Sequence, residues 1–143
     1  MLNIVLAALA LTQVSSFESV DVCQKVPGAT LAAAVGGRLV DQRSINVKGL
    51  DAARCVYGIE IDGSRRAFVV WANPAGDFDG LRAASTPPLT EVPGVVDEAF
   101  TVTDPETRRV QLTGWIRGKL TVQVSGERAA WVIAIAKTAL SRF

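Results

Sequence analysis

The segment "RCVYGIEIDGSRRAFVVWA", residues 54–72, carries a strong signal for the fold. Its first half alternates between apolar and other residues, so one side of a strand carries Cys55, Tyr57, Ile59 and Ile61. Asp62-Gly63 follows and suits the positive φ values that tight hairpins need, and "RRAFVVWA" is a second β-rich run. The segment therefore predicts two antiparallel strands joined by a short turn.

Three further strands are predicted in the second half of the chain. They correspond to "EAFTVTD" (98–104), "RRVQLTGWIR" (108–117) and "LTVQVS" (120–125), the last with strict alternation. Turn residues separate them, Asp104-Pro105 at the first junction and Arg117-Gly118-Lys119 at the second. Short turns of this kind join antiparallel strands.

Helical signals lie before, between and after these strands. "VPGATLAAAVGG" (26–37) predicts a helix from about Gly28 to Val35, ended by Gly36-Gly37, and "FDGLRAAS" (78–85) predicts a short helix with Asp77 as its N-cap. The C-terminal "GERAAWVIAIAKTALSRF" predicts the longest helix. Its apolar stripe is expected to comprise Ala129, Val132, Ile133, Ala136, Leu140 and Phe143.

These elements predict an α+β domain with one antiparallel meander sheet of about five strands, packed with helices. The expected order is α-β-β-α-β-β-β-α. Residues 38–53 lack clear periodicity and are expected to form a loop with at most one short strand. The proline-rich residues 86–94 are expected to be a connector.

The composition narrows the functional classes. The 143 residues suit one domain, and a net charge of +1 gives no basic footprint for nucleic acid. The chain has no histidine, which excludes Ser-His-Asp and Cys-His nucleophiles and histidine-ligated metals. No cofactor is expected.

The N-terminus resembles an export signal. The apolar run from Leu2 to Leu11 is shorter than the ~20 residues that a membrane-spanning helix needs, and cleavage is expected after Ser16. Residues 1–16 would then be a signal peptide, and residues 17–143 a secreted domain without a membrane span. The alternative is that the run is a helix or strand of the mature fold.

The two cysteines, Cys23 and Cys55, lie 32 positions apart, unlike a C-x-x-C redox motif. In an exported chain an even number of cysteines indicates a disulfide. The alternative is two unpaired buried thiols in a cytosolic protein.

Several landmarks resemble those of a known group. A cysteine precedes a helix ending in Gly-Gly ("VCQKVPGATLAAAVGG"), a second cysteine heads an aromatic-containing strand ("RCVYGIEI"), and "GVVDEAF" and "RAAWVIAIAKTAL" follow. Their order resembles that of small exported actinobacterial domains of unknown function, many of them lipoproteins. It is also similar to the extracellular sensor domains of some mycobacterial receptor kinases. Val96 departs from this pattern, which has glycine there.

Two sets of residues are candidates for binding. Trp71, Trp115 and Trp131 would line a cavity for an apolar ligand, or belong to the core. Arg65-Arg66 and Arg108-Arg109 each lie where a strand begins. They would form a paired anion site if the two strands were neighbours, and solvated strand ends otherwise.

The carboxylates give weaker evidence of a functional site. Asp97 and Glu98 are adjacent and would point to opposite faces of a strand, which disfavours acid–base catalysis. Asp77 and Asp79 lack the spacing of a calcium loop and are expected to cap a helix.

The sequence thus favours a secreted, non-enzymatic binding domain whose ligand is a lipid or another apolar molecule of the cell envelope. A protein-interaction or sensor module of the envelope, with no small-molecule ligand, is the alternative.

Overall fold

The computed structural model describes residues 21–46, 53–74, 78–85, 89–116 and 120–143. The helices are α1 Val22–Lys25, α2 Gly28–Ala34, α3 Phe78–Ala84 and α4 Ala129–Leu140. The strands are β1 Arg38–Asn46, β2 Ala53–Ile61, β3 Ser64–Pro74, β4 Leu89–Glu91, β5 Glu98–Thr103, β6 Val110–Ile116 and β7 Leu120–Gly126. The predicted signal peptide, residues 1–16, lies outside the described residues.

All seven strands of the described residues belong to one antiparallel sheet with the order β1-β2-β3-β7-β6-β5-β4. Two meanders, β1 to β3 and β4 to β7, meet where β3 pairs with β7. Between them in sequence, α3 carries the chain to the far edge of the sheet. The α+β class and the antiparallel sheet are confirmed, whereas the expected number of five strands is wrong.

The β2–β3 hairpin follows the sequence prediction. Ile61 pairs with Ser64 across a two-residue turn, in which Asp62 and Gly63 have φ values of 51° and 78°. Two consecutive positive φ values match the right-handed twist of the flanking strands. The alternation of β2 is confirmed by its four predicted inward residues, which are all buried: Cys55, Tyr57, Ile59 and Ile61.

The two additional strands lie at the sheet edges. β1 occupies residues 38–46 of the segment 38–53, which was expected to be a loop with at most one short strand. Its length was not predicted because its middle residues, from Asp41 to Ser44, are exposed and polar. A register shift between Leu39 and Asp41 also breaks its period of two. β4 has only three residues, within the segment expected to be a connector, and it pairs with β5.

The order of the helices also differs from the prediction. An extra helix, α1, begins at its N-cap Asp21, whose Oδ1 accepts from the backbone N–H of Gln24 at 3.2 Å. α2 then ends as predicted, because Gly36 has a φ of 67° and the N–H of Gly37 donates to the carbonyl of Ala32 at 2.8 Å.

The principal core lies between the sheet and the helices α1, α2 and α4, on what we call the helix-bearing face. Phe68, Val70 and Val124 project from the central strands into this core and are fully buried. α4 does bury a stripe, but the stripe is shifted from the predicted one because Ala129 is exposed and Ile133 is only half-buried. The buried residues of α4 are Val132, Ile135, Ala136, Ala139 and Leu140.

The opposite face of the sheet is partly covered by α3. Phe78 of this helix packs against the rings of Phe100 and Trp115, with centroids 5.5 and 6.1 Å away. This contact explains why β5, β6 and β7 bury residues on both faces, among them Thr113 and Gln123.

The predicted disulfide is confirmed. Cys23 of α1 and Cys55 of β2 are bonded, with their Cα atoms 5.2 Å apart. The bond attaches the first helix to the third residue of β2. None of the described helices is long and apolar enough to cross a membrane.

Tyr57 of β2 connects the C-terminal end of α1 to the sheet through a hydrogen bond. It is fully buried, and its hydroxyl donates to the carbonyl oxygen of Val26 at 2.7 Å. Burial, and to a lesser extent the charge of Asp21, raises the pKa of Tyr57. The unfolded chain would lose the tyrosine proton above pH ~10, whereas the folded chain retains it. Stability that is present below pH ~10 is therefore lost as the pH rises further.

We expect the ultraviolet absorbance of tyrosinate to appear only when the protein unfolds at alkaline pH. Tyr57 is the single tyrosine of the chain, so the absorbance reports this group alone. Circular dichroism recorded on the same samples gives the folded fraction, and the protein in denaturant should titrate near pH ~10. Tyrosinate absorbance near that pH in a protein with intact circular dichroism would contradict the buried hydrogen bond.

Candidate functional site

The three tryptophans lie in different places. Trp131 is on α4 at the helix-bearing face, where it meets the edge of Phe68 at a centroid distance of 6.3 Å. Trp115 lies on the opposite face beneath α3. Trp71 also lies on the opposite face. The distance from the centroid of its ring to the guanidinium carbon of Arg54 is 5.6 Å. The structure therefore does not bring Trp131 together with the other two.

The candidate carboxylates are dispersed. Glu98 pairs with Arg82 of α3 at 3.7 Å, and Glu91 of β4 pairs with the same guanidinium. Asp79 is exposed in the first turn of α3, and Asp77 lies outside the described residues. Asp97 is exposed just before β5. Within the described ranges, no three side chains of the histidine, cysteine, aspartate or glutamate type form a group that could hold a metal ion.

The sheet separates Arg65 from Arg66 and brings Arg109 close to β3. Arg65 and Arg66 point to opposite faces, and Arg65 pairs with Asp41 of β1 at 3.0 Å. β3 and β6 are not neighbours, because β7 lies between them. β7 ends at Gly126, however, and beyond that point the side chain of Arg109 extends to β3. Its Nη2 donates to the carbonyl of Ala67 at 3.2 Å.

A cleft of about 440 Å³ opens at this end of the sheet. We call it the arginine cleft; its lining residues are Arg66, Thr107, Arg108, Arg109, Glu127 and Arg128. They come from three separate parts of the chain: β3, the β5–β6 turn, and the junction between β7 and α4. The fold therefore assembles four guanidinium groups that the sequence spreads over 63 positions, from 66 to 128.

Arg66 is the most restrained of these arginines. Its Nη1 pairs with Glu127 at 2.5 Å, and its guanidinium carbon lies 5.6 Å from the ring centroid of Trp131. Its Nε is buried and has no hydrogen-bond partner among the described residues. Arg128 approaches the same indole more closely, at 4.5 Å. Trp131 thus orients two of the four guanidinium groups by cation–π contact.

The β5–β6 turn presents the other two arginines. The carboxylate of Asp104 accepts the backbone N–H groups of Glu106 and Thr107 at 2.8 and 3.0 Å. These hydrogen bonds, first that from Thr107, lower the pKa of Asp104 and keep it ionised. Arg108 has a φ of 63°, an uncommon value for a residue that is not glycine, and its N–H donates to the carbonyl of Asp104 at 2.9 Å.

The N-terminus of α4 borders the cleft. Its N-cap residue is Arg128, which makes no side-chain capping bond, and its first turn contains no acidic residue. Free N–H groups at a helix N-terminus carry a partial positive charge. In this 12-residue helix the dipole therefore adds to the charge of the arginines.

The charges of the cleft favour an anion. Four arginines face one glutamate, which leaves an excess of three positive charges in a chain whose net charge is +1. Planar guanidinium groups bind phosphate, sulfate and carboxylate through paired hydrogen bonds. Glu127 already occupies Arg66 as an internal partner, so a ligand would have to compete with it.

Sequence reasoning found part of this site. It singled out Arg66, Arg108 and Arg109, but it paired them through neighbouring strands, which the topology does not provide. It missed Arg128 and Glu127. The signal that could have found them is "GERAAW", where a helix begins with arginine instead of a capping residue.

Comparison of the chain with protein-family models, with curated proteins and with solved structures gives no match.

Proposed function

We propose that the protein is an extracytoplasmic binding domain that holds an oxyanion group of its ligand in the arginine cleft. The observation that carries the proposal is the convergence of Arg66, Arg108, Arg109 and Arg128 from three separate segments on one cleft of about 440 Å³. Like charges brought together repel each other, so such a cluster is stabilised when an anion occupies it. The class of ligand is thus a phosphate, sulfate or carboxylate group.

Binding fits this cleft better than catalysis. Arginine keeps its proton at all ordinary pH values, so four of the lining side chains cannot act as acids or bases. Among the described residues, Glu127 is the one carboxylate that lines the cleft, and it pairs with Arg66 at 2.5 Å. The cleft therefore offers fixed positive charge and hydrogen-bond donors, which are the means of anion recognition.

The extracytoplasmic location is supported by the bond between Cys23 and Cys55, because disulfides persist in oxidising compartments. The expected role of a secreted binding domain is kept in this proposal. Its preferred ligand changes from an apolar molecule to an anionic one, because Trp131 lies on the other face of the sheet from Trp71 and Trp115, so the three do not line one site. An envelope protein could present the same oxyanion chemistry through its carboxylates.

Calorimetric titration with inorganic pyrophosphate, sulfate and acetate at low ionic strength tests the proposal. We expect pyrophosphate to bind with a dissociation constant of about 0.1–1 mM, as a few charge-assisted contacts allow after the cost of association. Sulfate should bind more weakly, and acetate weakest, if multiply charged oxyanions are the ligand class. A preference for acetate would assign the cleft to carboxylates.

Two variants and one control sharpen the test. Arg108→Asn removes one guanidinium while asparagine tolerates the positive φ, and it should weaken binding about tenfold. Glu127→Gln frees Arg66 and should tighten binding about threefold. Arg142→Asn, at the exposed C-terminal end of α4, makes the same change in net charge and should leave the affinity within about twofold. Equal losses in both arginine variants would refute the cleft as the site.

A further inference from the structure

A second, smaller pocket lies on the opposite face of the sheet, between α3 and the strands β5, β6 and β7. Its volume is about 220 Å³, the space of roughly seven water molecules at ~30 Å³ each. Four lining residues are apolar and four are polar but uncharged. The apolar residues are Leu81, Ala84, Phe100 and Val102, and the polar residues are Ser85, Gln111, Thr113 and Gln123.

The polar residues are grouped by the strand register. Thr113 of β6 and Gln123 of β7 are direct cross-strand partners, 3% and 9% exposed, and they form the floor of the pocket. Gln111 lies two residues before Thr113 on the same face and is exposed at the rim. Ser85 closes the side next to α3.

Among the residues that the structure describes, the hydrogen-bonding capacity on this floor is only partly used. Gln123 Nε2 donates to Thr113 Oγ1 at 3.4 Å, and no described residue occupies the amide oxygen of Gln123 or its second amide hydrogen. The Thr113 hydroxyl accepts in that bond and keeps its own hydrogen. Ser85 donates to the carbonyl of Leu81 at 2.7 Å and keeps its capacity as an acceptor. The pocket therefore presents both donors and acceptors.

The pocket contains no charge among its lining residues. Arg82 is close, with its guanidinium 6.0 Å from the ring centroid of Phe100, but it is neutralised by Glu91 and Glu98. This lining contrasts with the arginine cleft. It favours a neutral ligand that has hydroxyl groups on one side and an apolar surface on the other.

We propose that this pocket binds one pyranose ring of a neutral carbohydrate. Sugar hydroxyls both donate and accept, which matches the mixed capacity left on Gln111, Thr113 and Gln123. The C–H face of the ring would lie against Leu81 and Val102. The volume is below the ~300 Å³ of sites for drug-sized ligands, so a single ring fits and a longer glycan would extend outwards past Gln111.

Nuclear magnetic resonance titration with the methyl pyranosides of glucose, mannose and N-acetylglucosamine tests the proposal. We expect at least one glycoside to give saturable shifts of the backbone amides of Ser85, Thr113 and Gln123. A ligand of this size should bind with a dissociation constant of about 1–10 mM. The arginine cleft is read out separately by the pyrophosphate titration, so the two proposals succeed or fail independently.

Matched variants separate a sugar site from a general crevice. Gln123→Met keeps the length of the side chain but removes the amide, and it should weaken binding at least about tenfold. Gln111→Met makes the same change at the exposed rim, where folding is not at risk, and should also weaken binding. Gln24→Met, at an exposed position on α1, is the control and should bind as the original protein does.

Three results would overturn the proposal. They are the absence of saturable shifts up to about 50 mM glycoside, well above the expected dissociation constant; unchanged affinity in Gln111→Met; and tighter binding of benzyl alcohol than of any glycoside. The last result would assign the pocket to apolar ligands.

Discussion

Removal of the Cys23–Cys55 disulfide is expected to lower the free energy of unfolding by about 3–4 kcal/mol, because the bond closes a loop across 32 positions. In a domain of this size the loss corresponds to a fall of about 10–20 °C in the midpoint of thermal unfolding. The effect is large because the bond restricts the unfolded chain, in which the segments around Cys23 and Cys55 would otherwise move independently.

The measurement is a comparison of Cys23→Ser/Cys55→Ser with the oxidised protein by urea denaturation. The reduced native chain should match the double variant. Alkylation of the oxidised protein without reductant should label neither cysteine. A double variant within about 1 kcal/mol of the oxidised protein would show that the bond contributes little to the fold and would weaken the argument for an oxidising compartment.

Phe68→Ala is expected to cost about 3–5 kcal/mol in the free energy of unfolding, as the truncation of a buried aromatic ring does. Phe68 is fully buried on the central strand β3, and its ring supports Trp131 from the side. Because Trp131 in turn orients Arg66 and Arg128, the substitution should also weaken pyrophosphate binding several-fold. Stability and affinity are thus linked through one aromatic contact.

Val69→Ala is the matched control for that prediction. Val69 is the next residue along β3 and points to the opposite face of the sheet, where it is only half-buried. Its truncation should cost about 1 kcal/mol or less and leave anion binding unchanged. Urea denaturation gives the stabilities and calorimetry the affinities. If Phe68→Ala bound pyrophosphate as tightly as Val69→Ala, the proposed support of the cleft by Trp131 would be refuted.

Local sequence signals were sufficient to predict turns and strands where a particular backbone conformation needs a particular type of residue. Asp62-Gly63 and Gly36 provide positive φ values at the predicted places, and the alternation of β2 identifies its buried side. β1 could not be found in the same way, since an edge strand with exposed polar residues on it leaves no hydrophobic period to detect. β1 is held in the sheet by its backbone pairing with β2, which is a tertiary contact.

The candidate site illustrates the same limit over longer distances. Arg66, Arg109 and Arg128 meet because β7 ends between β3 and β6, and α4 begins immediately afterwards. That arrangement follows from the strand order, which the sequence did not predict. The separation of the tryptophans has a related cause. α4 packs on the helix-bearing face and carries Trp131 there, whereas the strand register places Trp71 and Trp115 on the opposite face, and "RRAFVVWA" is apolar on both faces, so its pattern does not reveal the side of Trp71.

The claim that the arginine cleft binds an oxyanion is tested most directly by following the side-chain Nε–H resonances of the arginines during a sulfate titration. We predict that the signals of Arg66, Arg108, Arg109 and Arg128 shift together and saturate with one dissociation constant, while that of Arg142 does not shift. Small, non-saturating shifts of equal size in all arginines would mean that sulfate only screens the surface charge, and would contradict oxyanion binding in the arginine cleft.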